Sequence, residues 1–522
     1  MHIYIISDFS KRGKTILKLS KVKLTHYQKV KDLDRSRGQS YTCLVLTYSK
    51  FPSNSIVEDT VMADCDLVIV GAGPGGYVAA IRAAQLGARV TVVEKAFLGG
   101  TCLNRGCIPT KALIKSGRVA ALIRNSAEFG IATSGMSIDY AAMTARKDKV
   151  VSIMRDGIAA LFKARRIECV MGTARIATPT SVAVTLKDGS TRTIEAKNIV
   201  VATGSEPAKP KMFPFDGNRV VTSDDAVAKT SIGKSVIVVG GGFIGCEYAS
   251  LYANLGLDVT IIELLDNILS TMDESIIKDV GRGLKKRKVK IRTGVKVEKM
   301  ETTDGGVTAT LAGGEAISAD FALVSVGRRP VTAAIGLEEV GVALDRGNIV
   351  IDEHCRTNVP TIYAIGDATG KMLLAHVASE QGIVAAENIM GHESKMDYSV
   401  VPACVFTDPE AANVGMSERE VKEKGFEYRA AHFPFRILGK AHADGEIDGQ
   451  VKVIGESKTG KILGVHIIGH GASEVIAEAA VAMKNGMTAA DVARTIHAHP
   501  TLPEAFREAC EVFQDRAIHL AL

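Results

Sequence analysis

The sequence has no tryptophan, and no apolar run in it reaches the roughly 18 residues that a membrane span needs. Arg82 and Arg89 interrupt the longest candidate region. The composition is otherwise that of an ordinary α/β protein, with 50 glycines and 46% apolar residues, which excludes a disordered or a fibrous chain. We therefore expect a soluble protein without a membrane span.

An excess of basic charge is also missing from most of the chain, although the net charge is +6. Residues 1–61 contain 11 basic and 5 acidic residues, whereas the remaining 461 residues contain 53 of each. Because residues 62–522 have no net charge, they give no support for nucleic-acid binding. Residues 1–61 lack the apolar core of a secretory signal, and we interpret them as a disordered or misassigned leader with Met62 as a start. A transit peptide is the alternative.

The nine cysteines are odd in number and lack regular spacing apart from Cys102 and Cys107. This pattern excludes a secreted disulfide scaffold. A reducing compartment fits better, so we expect a cytoplasmic protein, or one of an organelle matrix if the leader is a transit peptide. There, a bridge between Cys102 and Cys107 would be catalytic.

These two cysteines lie in residues 99–111, GGTCLNRGCIPTK. On a regular helix, residues five apart have Cα atoms about 8 to 9 Å apart, beyond the roughly 7 Å limit for a disulfide. The segment must therefore bend, which Gly106 permits, before a helix whose first turn Pro109 suits.

A sulfur at the start of this helix, which we predict to run through residues 111–114, would feel the positive end of the helix dipole. With Arg105 and Lys111 nearby, it would hold a thiolate at neutral pH, the state that thiol exchange needs. By itself the spacing more often means a structural disulfide or a pair of buried thiols.

Two glycine fingerprints occur in a strand, turn and helix context. Residues 71–76, GAGPGG, follow one apolar run, and residues 240–245, GGGFIG, follow another. Each is followed by a second predicted strand ending in an acid, Glu94 or Glu263, 23 residues after the first glycine. Such acids bind ribose hydroxyls, and the glycines admit a pyrophosphate. Two such folds imply two dinucleotides.

The neighbours of each fingerprint indicate which dinucleotide it binds. The first fold leads directly into the cysteine segment, so we expect it to hold a flavin beside the disulfide. The second then takes the nicotinamide cofactor. Glu263 favours NAD, because a carboxylate repels the extra phosphate of NADP, and residues 264–267 contain no arginine.

The redox segment and its continuation Ala112-Leu113 resemble the dihydrolipoamide dehydrogenase family, within the pyridine nucleotide-disulfide oxidoreductases. The resemblance covers about residues 63–522. It implies an α/β fold with two Rossmann-like domains, for FAD and NAD, and a C-terminal α+β dimerisation domain. The implied divisions are a first FAD-binding part at 62–208, an NAD-binding domain at 209–331, a second FAD-binding part at 332–396 and a dimerisation domain at 397–522.

The resemblance implies oxidation of dihydrolipoamide to lipoamide with reduction of NAD. In the implied homodimer His499, oriented by Glu504, takes a proton from dihydrolipoamide across the subunit boundary. The substrate thiolate exchanges with Cys102, and Cys107 faces the flavin. The implied partners are lipoyl domains of 2-oxo acid dehydrogenase or glycine cleavage complexes.

Lys111 is expected near the flavin, paired with Glu247, although Glu247 could equally be a solvated helix residue. His497 is expected to have a hydrogen-bonded structural role. No metal is expected. The expected FAD contacts are Gly71, Gly73, Pro74, Gly75, Gly76, Glu94, Lys95, Thr101, Lys111, Gly172, Ala174, Thr203, Gly204, Asp367 and Ala375, and the expected NAD contacts are Gly240, Gly242, Phe243, Ile244, Gly245, Glu247, Glu263, Val295 and Gly327.

Related reductases fit less well. Glutathione reductase is disfavoured by Glu263 and by the redox segment, mercuric reductase by a tail at 517–522 without a cysteine pair, and soluble transhydrogenase by the presence of Cys102. A non-enzymatic alternative is a subunit that docks on a multienzyme core. The intact cysteines, His499 and Glu504 argue for catalysis.

Overall fold

The structure is a computed structural model that describes residues 63–521 in full. Before them it describes only the backbone of two strands, Gln28–Asp34 and Gln39–Val45, which pair antiparallel. The prediction of a leader at 1–61 otherwise falls outside the described residues. Between residues 63 and 521, no helix is long and apolar enough to cross a membrane.

A six-stranded sheet contains the first fingerprint. Its central strands are runs of valine and isoleucine that are buried on both faces, as in parallel sheets covered by helices. Helix Pro74–Gln85 packs against helix Ala375–Ile389, with Gly382 against the backbone of Gly75. The strand order is Ile362–Ala364, Thr191–Val201, Cys65–Val70, Val90–Glu94, Glu168–Thr178 and Ser181–Leu186, antiparallel only where the last strand pairs.

A five-stranded parallel sheet contains the second fingerprint, with helix Phe243–Leu255 following its central strand. A three-stranded antiparallel meander packs beside it. The parallel order is Lys290–Arg292, Asp258–Ile262, Ser235–Val239, Phe321–Val324 and Val220–Val221, and the meander is Val297–Thr303, Gly306–Leu311 and Ala316–Ala319.

The chain leaves this second sheet through two separate strands. Strand Phe321–Val324 ends in the five-stranded sheet, and Arg328–Pro330 pairs antiparallel with Ser205–Pro207. Gly327 separates the two strands with φ +128°, a conformation that glycine tolerates and other residues rarely adopt.

The C-terminal region is an antiparallel sheet covered by helices, which completes the predicted fold class. Two dinucleotide-binding units and a C-terminal α+β unit are thus confirmed. The strand order of the C-terminal sheet is Ala403–Val405, Ala411–Gly415, Ile462–Ile468, Gln450–Glu456 and Tyr428–Pro434. The main helices of this region are Ala472–Lys484, Ala489–Arg494 and Glu504–Phe513.

The remaining elements are shorter or connect these units. The α-helices are Gly100–Asn104, Cys107–Arg124, Tyr140–Ala164, Ser223–Ala228, Glu274–Lys286, Glu418–Glu423 and Gly439–Asp444; the 3-10 helices are Ser126–Phe129, Gly366–Thr369 and Phe435–Ile437; and Leu344–Asp345 pairs with Asn348–Ile349.

A buried ion cluster joins the NAD-side unit to the C-terminal sheet. The Lys452 ammonium lies 2.8 Å from Asp273 Oδ1 and 2.7 Å from Glu418 Oε2. Only 4% of the Lys452 side chain and 1% of the Asp273 side chain are exposed. Asp273 also caps helix Glu274–Lys286 by accepting the Ser275 N–H. Because a buried charge without a counter-charge is strongly destabilising, this ion cluster holds the two units together.

Lys452→Met should lower the unfolding free energy by about 3 to 5 kcal/mol, because Asp273 would stay buried without a counter-charge. Urea titration followed by circular dichroism measures this. The control is Lys458→Met, which removes an exposed ion pair with Glu427 and should change stability by less than about 1 kcal/mol. Equal stability of both variants would contradict the role of the cluster.

Candidate functional site

The redox segment bends where the sequence requires it. Helix Gly100–Asn104 ends, and helix Cys107–Arg124 begins three residues later. Gly106 lies in the break, where an added Cβ would come 3.1 Å from the Thr101 carbonyl oxygen and 3.3 Å from the Cα of Cys102. The glycine therefore allows the two halves to pack closely, and the second helix starts at its cysteine, with Pro109 in its first turn as predicted.

Both cysteines are thiols in this structure, and Cys107 occupies the first position of its helix. A hydrogen bond from the Cys102 thiol lowers the pKa of Cys107 to about 7, with a further contribution from the Lys111 charge. The same contact, together with burial, raises the pKa of Cys102. The pair therefore holds its negative charge on Cys107, at the positive end of the helix.

Lys111 and Glu247 form a close ion pair, as the family resemblance implied. The Lys111 ammonium lies 2.9 Å and 2.8 Å from the two carboxylate oxygens of Glu247. Glu247 is 6% exposed and also accepts the Phe406 N–H at 3.0 Å, so it is not a solvated helix residue. The ammonium also lies 4.5 Å from the centre of the Phe406 ring.

Lys111→Met should raise the pH at which Cys107 of the reduced protein becomes reactive by about one unit or more, because a stabilising positive charge is lost. Alkylation by iodoacetamide, resolved by peptide mass spectrometry, should show a midpoint near pH 7 in the parent protein. Lys115→Met, one helical turn further on and exposed, is the control and should leave the midpoint unchanged. An unchanged midpoint in the Lys111 variant would contradict the assignment.

The first fingerprint is held by the acid at the end of the neighbouring strand. Glu94 is 7% exposed, and its two carboxylate oxygens accept the N–H groups of Ala72 and Ala96, each at 2.8 Å. Gly71 has φ +105°, and an added Cβ there would collide with the carbonyl of Ala202. The carboxylate thus shapes the loop in addition to its expected contact with a ribose.

The second fingerprint repeats this arrangement. Glu263 is 9% exposed and accepts the N–H of Gly241 at 2.5 Å and that of Leu265 at 2.8 Å. Gly240 has φ +101°, and an added Cβ would meet the carbonyl oxygen of Ser325 at 2.5 Å. Sequence reasoning missed this loop-holding role, although the equal spacing of 23 residues was its visible signal.

The helix starts at both fingerprints suit a pyrophosphate. Helices Pro74–Gln85 and Phe243–Leu255 begin after Gly73 and Gly242, and neither has a side-chain cap, so the first-turn amides remain available. An added Cβ at Gly242 would meet nothing within 4 Å. The loops therefore have both the donors and the space that a dinucleotide needs.

Parallel strands bring the FAD-side segments to one edge of the six-stranded sheet. Thr203 follows the strand next to the one that ends at the first fingerprint, and Asp367 follows the strand beyond that. The Thr203 hydroxyl is buried and has no hydrogen-bond partner among residues 63–521, as expected where a ligand supplies one. Asp367 accepts the Ser205 hydroxyl at 2.5 Å, and Arg328 lies 3.9 Å from it. These groups fit a bound flavin nucleotide.

Sequence reasoning missed several groups at this edge because no local motif marks them. The Gln381 side-chain oxygen accepts the Gly366 N–H at 2.6 Å and holds the turn before Asp367. Ser205 and Arg328 hydrogen-bond to each other at 2.7 Å. They come together only through the antiparallel pairing of their strands.

The other expected cofactor residues have diverse surroundings. Gly172 has no room for a side chain, because an added Cβ would lie 2.6 Å from Val184 and from the Thr185 carbonyl. Val295 donates its N–H to the Glu263 carbonyl at 3.0 Å. Ala174 lies on the strand of Gly172, Thr101 lies in the helix of Cys102, and Ala375 begins its helix. Lys95 is exposed, and Gly204 and Gly327 have positive φ. The remaining residues lie in the two fingerprint helices: Pro74, Gly75, Gly76, Phe243, Ile244 and Gly245.

A carboxylate orients the predicted histidine. His499 Nδ1 lies 2.9 Å from Glu504 Oε1, and Glu504 Oε2 accepts the Thr501 N–H at 2.7 Å. Burial raises the pKa of Glu504, but these hydrogen bonds outweigh it and hold the pKa below its ordinary value. The following helix begins at Glu504, directly after Pro503.

The His499 side chain is 75% exposed. Among residues 63–521 of this protomer, neither His499 nor Glu504 hydrogen-bonds to either redox cysteine. The dyad thus presents a base at the protomer surface.

A thiolate at a helix start, between two dinucleotide folds, suits electron transfer between a disulfide and a nicotinamide through a flavin. The fold and site therefore define a flavin-dependent disulfide oxidoreductase that uses a nicotinamide nucleotide. Residues 65–382 match the family model described as pyridine nucleotide-disulphide oxidoreductase, and residues 401–510 match the dimerisation domain of that family. The chain belongs to this family, uses FAD and NAD, and carries the domain through which its members form dimers.

Within the family, several similar curated relatives are dihydrolipoyl dehydrogenases. The dihydrolipoyl dehydrogenase of Geobacillus stearothermophilus is 45% identical over 88% of this chain and 98% of its own length. The mitochondrial dihydrolipoyl dehydrogenase of Pisum sativum is 42% identical over 87% of this chain and 92% of its own. The crystal structure of LpdA from Mycobacterium tuberculosis has a TM-score of 0.81 at 29% identity, covering 86% of this chain and 99% of that one.

Proposed function

We infer that this protein is a dihydrolipoyl dehydrogenase, which oxidises dihydrolipoamide to lipoamide and reduces NAD to NADH. The observation that carries this inference is the Cys102–Cys107 pair with its charge on Cys107, held beside the Lys111–Glu247 ion pair. The match to dihydrolipoyl dehydrogenases along almost their whole length supports it.

The reaction begins at His499. Its Nδ1 hydrogen is donated to Glu504, so Nε2 has a free lone pair and takes a proton from one thiol of dihydrolipoamide. The resulting thiolate attacks the Cys102 sulfur of the oxidised enzyme and forms a mixed disulfide. Cys107 leaves as a thiolate, and its low pKa makes it a good leaving group.

The second thiol of the substrate then completes the exchange. Once deprotonated, it attacks the substrate sulfur of the mixed disulfide, closes the lipoamide ring and releases Cys102. Two electrons now reside on the enzyme as a dithiol. FAD, which the first fingerprint, Thr203 and Asp367 would hold, would supply the two-electron chemistry that links this dithiol to NAD at the second fingerprint.

The Lys111–Glu247 pair supports the thiolate throughout the exchange. Lys111 lies one helical turn after Cys107 and contributes to its low pKa. Glu247 locates the ammonium through both of its oxygens and is itself fixed by the Phe406 N–H. Because Glu247 is almost fully buried, it has little freedom to move away.

The choice of NAD over NADP rests on Glu263. Its oxygens already accept two backbone hydrogen bonds, so the carboxylate is fixed in position, and its remaining lone pairs can accept ribose hydroxyls. A phosphate on the same ribose would be repelled.

The physiological substrate follows from the proposed activity. A lipoyl group is carried on a protein domain, so the partners are the lipoyl domains of 2-oxo acid dehydrogenase or glycine cleavage complexes. The exposed position of His499 suits a substrate presented by another macromolecule. The cysteine pattern favours a reducing compartment, the cytoplasm, or an organelle matrix if residues 1–61 act as a transit peptide.

The purified protein should form NADH rapidly when given dihydrolipoamide and NAD, and at least about 100-fold more slowly with NADP, because Glu263 repels the phosphate. NADH absorbance measures both rates. The control is glutathione with each nucleotide, which should give no turnover. If the protein is inactive but still binds FAD and forms dimers, dihydrolipoamide is not its substrate, and the assignment of the fold still holds.

His499→Gln should slow dihydrolipoamide oxidation by about 100- to 10,000-fold, because the general base is lost. Steady-state kinetics measures this. Electron transfer from NADH to ferricyanide needs no proton transfer at the substrate thiol, so it should remain near the parent rate and serves as the control. A variant that oxidises dihydrolipoamide at the parent rate would show that His499 is not the base.

A further inference from the structure

A second carboxylate and imidazole pair lies beside the proposed base, and the mechanism above does not use it. His497 Nε2 is 2.7 Å from Glu478 Oε1, and His497 Nδ1 is 2.8 Å from the carbonyl oxygen of Thr495. The His497 side chain is 6% exposed, whereas that of His499 is 75% exposed. One histidine of the loop is thus buried and the other is presented to solvent.

The ring of His497 is engaged on both sides. One nitrogen contacts a backbone carbonyl oxygen of its own loop and the other contacts the carboxylate of Glu478. His497 is therefore held from both sides.

The other contacts of this loop lie on the far side of His497, where Glu504 binds His499 and the Thr501 N–H, and the Thr501 hydroxyl donates to the Ala498 carbonyl. Within the described part of the chain, no backbone N–H from Ile496 to Thr501 donates to a backbone carbonyl. Ile496, next to His497, is 96% exposed and therefore packs little against the described part of the protomer. Glu478 lies in helix Ala472–Lys484, so its contact with His497 ties the loop to a regular element.

We propose that His497 is a positioning residue for the dithiol reaction: with Glu478 as its anchor, it fixes the loop that carries His499. The claim deepens the proposed function and rests on it for the role of His499. His497 itself acts only through the placement of His499, because both of its nitrogens are already occupied. A displacement of about 1 Å in a catalytic group can cost about 100-fold in rate.

The test compares dihydrolipoamide oxidation in two disruptive variants, His497→Asn and Glu478→Leu, with the conservative variant Glu478→Gln. The first two lose the contact between the residues and should lower kcat about 10- to 100-fold, with KM for NAD unchanged. Glu478→Gln keeps a side-chain amide that can bond to the ring in either protonation state, so it should restore most of the activity.

Two controls separate positioning from general damage. NADH oxidation by ferricyanide should stay at the parent rate in every variant. His519→Asn breaks a similar imidazole and carboxylate contact, that between His519 and Glu508 at 3.0 Å, and should leave dihydrolipoamide oxidation unchanged. The proposal is overturned if His497→Asn retains the parent kcat, if Glu478→Gln is as impaired as Glu478→Leu, or if the ferricyanide rate falls in parallel.

Failure of the proposed function has a different signature. If the parent protein does not oxidise dihydrolipoamide, the same variants are compared in the reduction of the Cys102–Cys107 disulfide by dithiothreitol, followed by alkylation and mass spectrometry. If His497 positions His499, the base can deprotonate any dithiol, so the disruptive variants should still react more slowly than the parent and than Glu478→Gln. Equal rates in this second assay would overturn the positioning role itself.

Discussion

The ion pair between Lys111 and Glu247 is the contact on which the arrangement of the redox site depends. Lys111 belongs to the helix that begins at Cys107, and Glu247 belongs to the helix after the second fingerprint. Through the Phe406 N–H, Glu247 also reaches the C-terminal region. One buried carboxylate thus connects three parts of the chain, and the charge that holds them together also stabilises the thiolate.

The two dinucleotide-binding units fix their fingerprint loops by the same arrangement of hydrogen bonds. In each, a carboxylate at the end of a strand accepts two backbone N–H groups and so fixes the fingerprint loop before any ligand binds. A loop ordered in advance loses less conformational entropy on binding. The repeated device explains why an acid at this position occurs in both halves, although the two halves take different nucleotides.

The sequence predicted the elements that depend on local interactions, and it failed where distant segments meet. The strands before both fingerprints, the bend at Gly106 and the pairing of His499 with Glu504 follow from runs, glycines and short spacings, and the structure contains all of them. Strand Arg328–Pro330 leaves the second sheet and pairs with Ser205–Pro207, a pairing that no local pattern marks. An apolar run does not reveal which partner strand it will meet.

By itself, then, the sequence determined the class of fold, the two nucleotides and the reactive cysteines, because each depends on a conformation that a few neighbouring residues enforce. Only the tertiary structure decided which groups surround those residues. Lys111 and Glu247 are 136 positions apart, and Ser205 and Asp367 are 162 apart. Contacts at such separations arise from strand order and helix packing, which bring chain segments together without leaving a local pattern. The contact of the loop residue His497 with Glu478, 19 positions away in helix Ala472–Lys484, has the same origin.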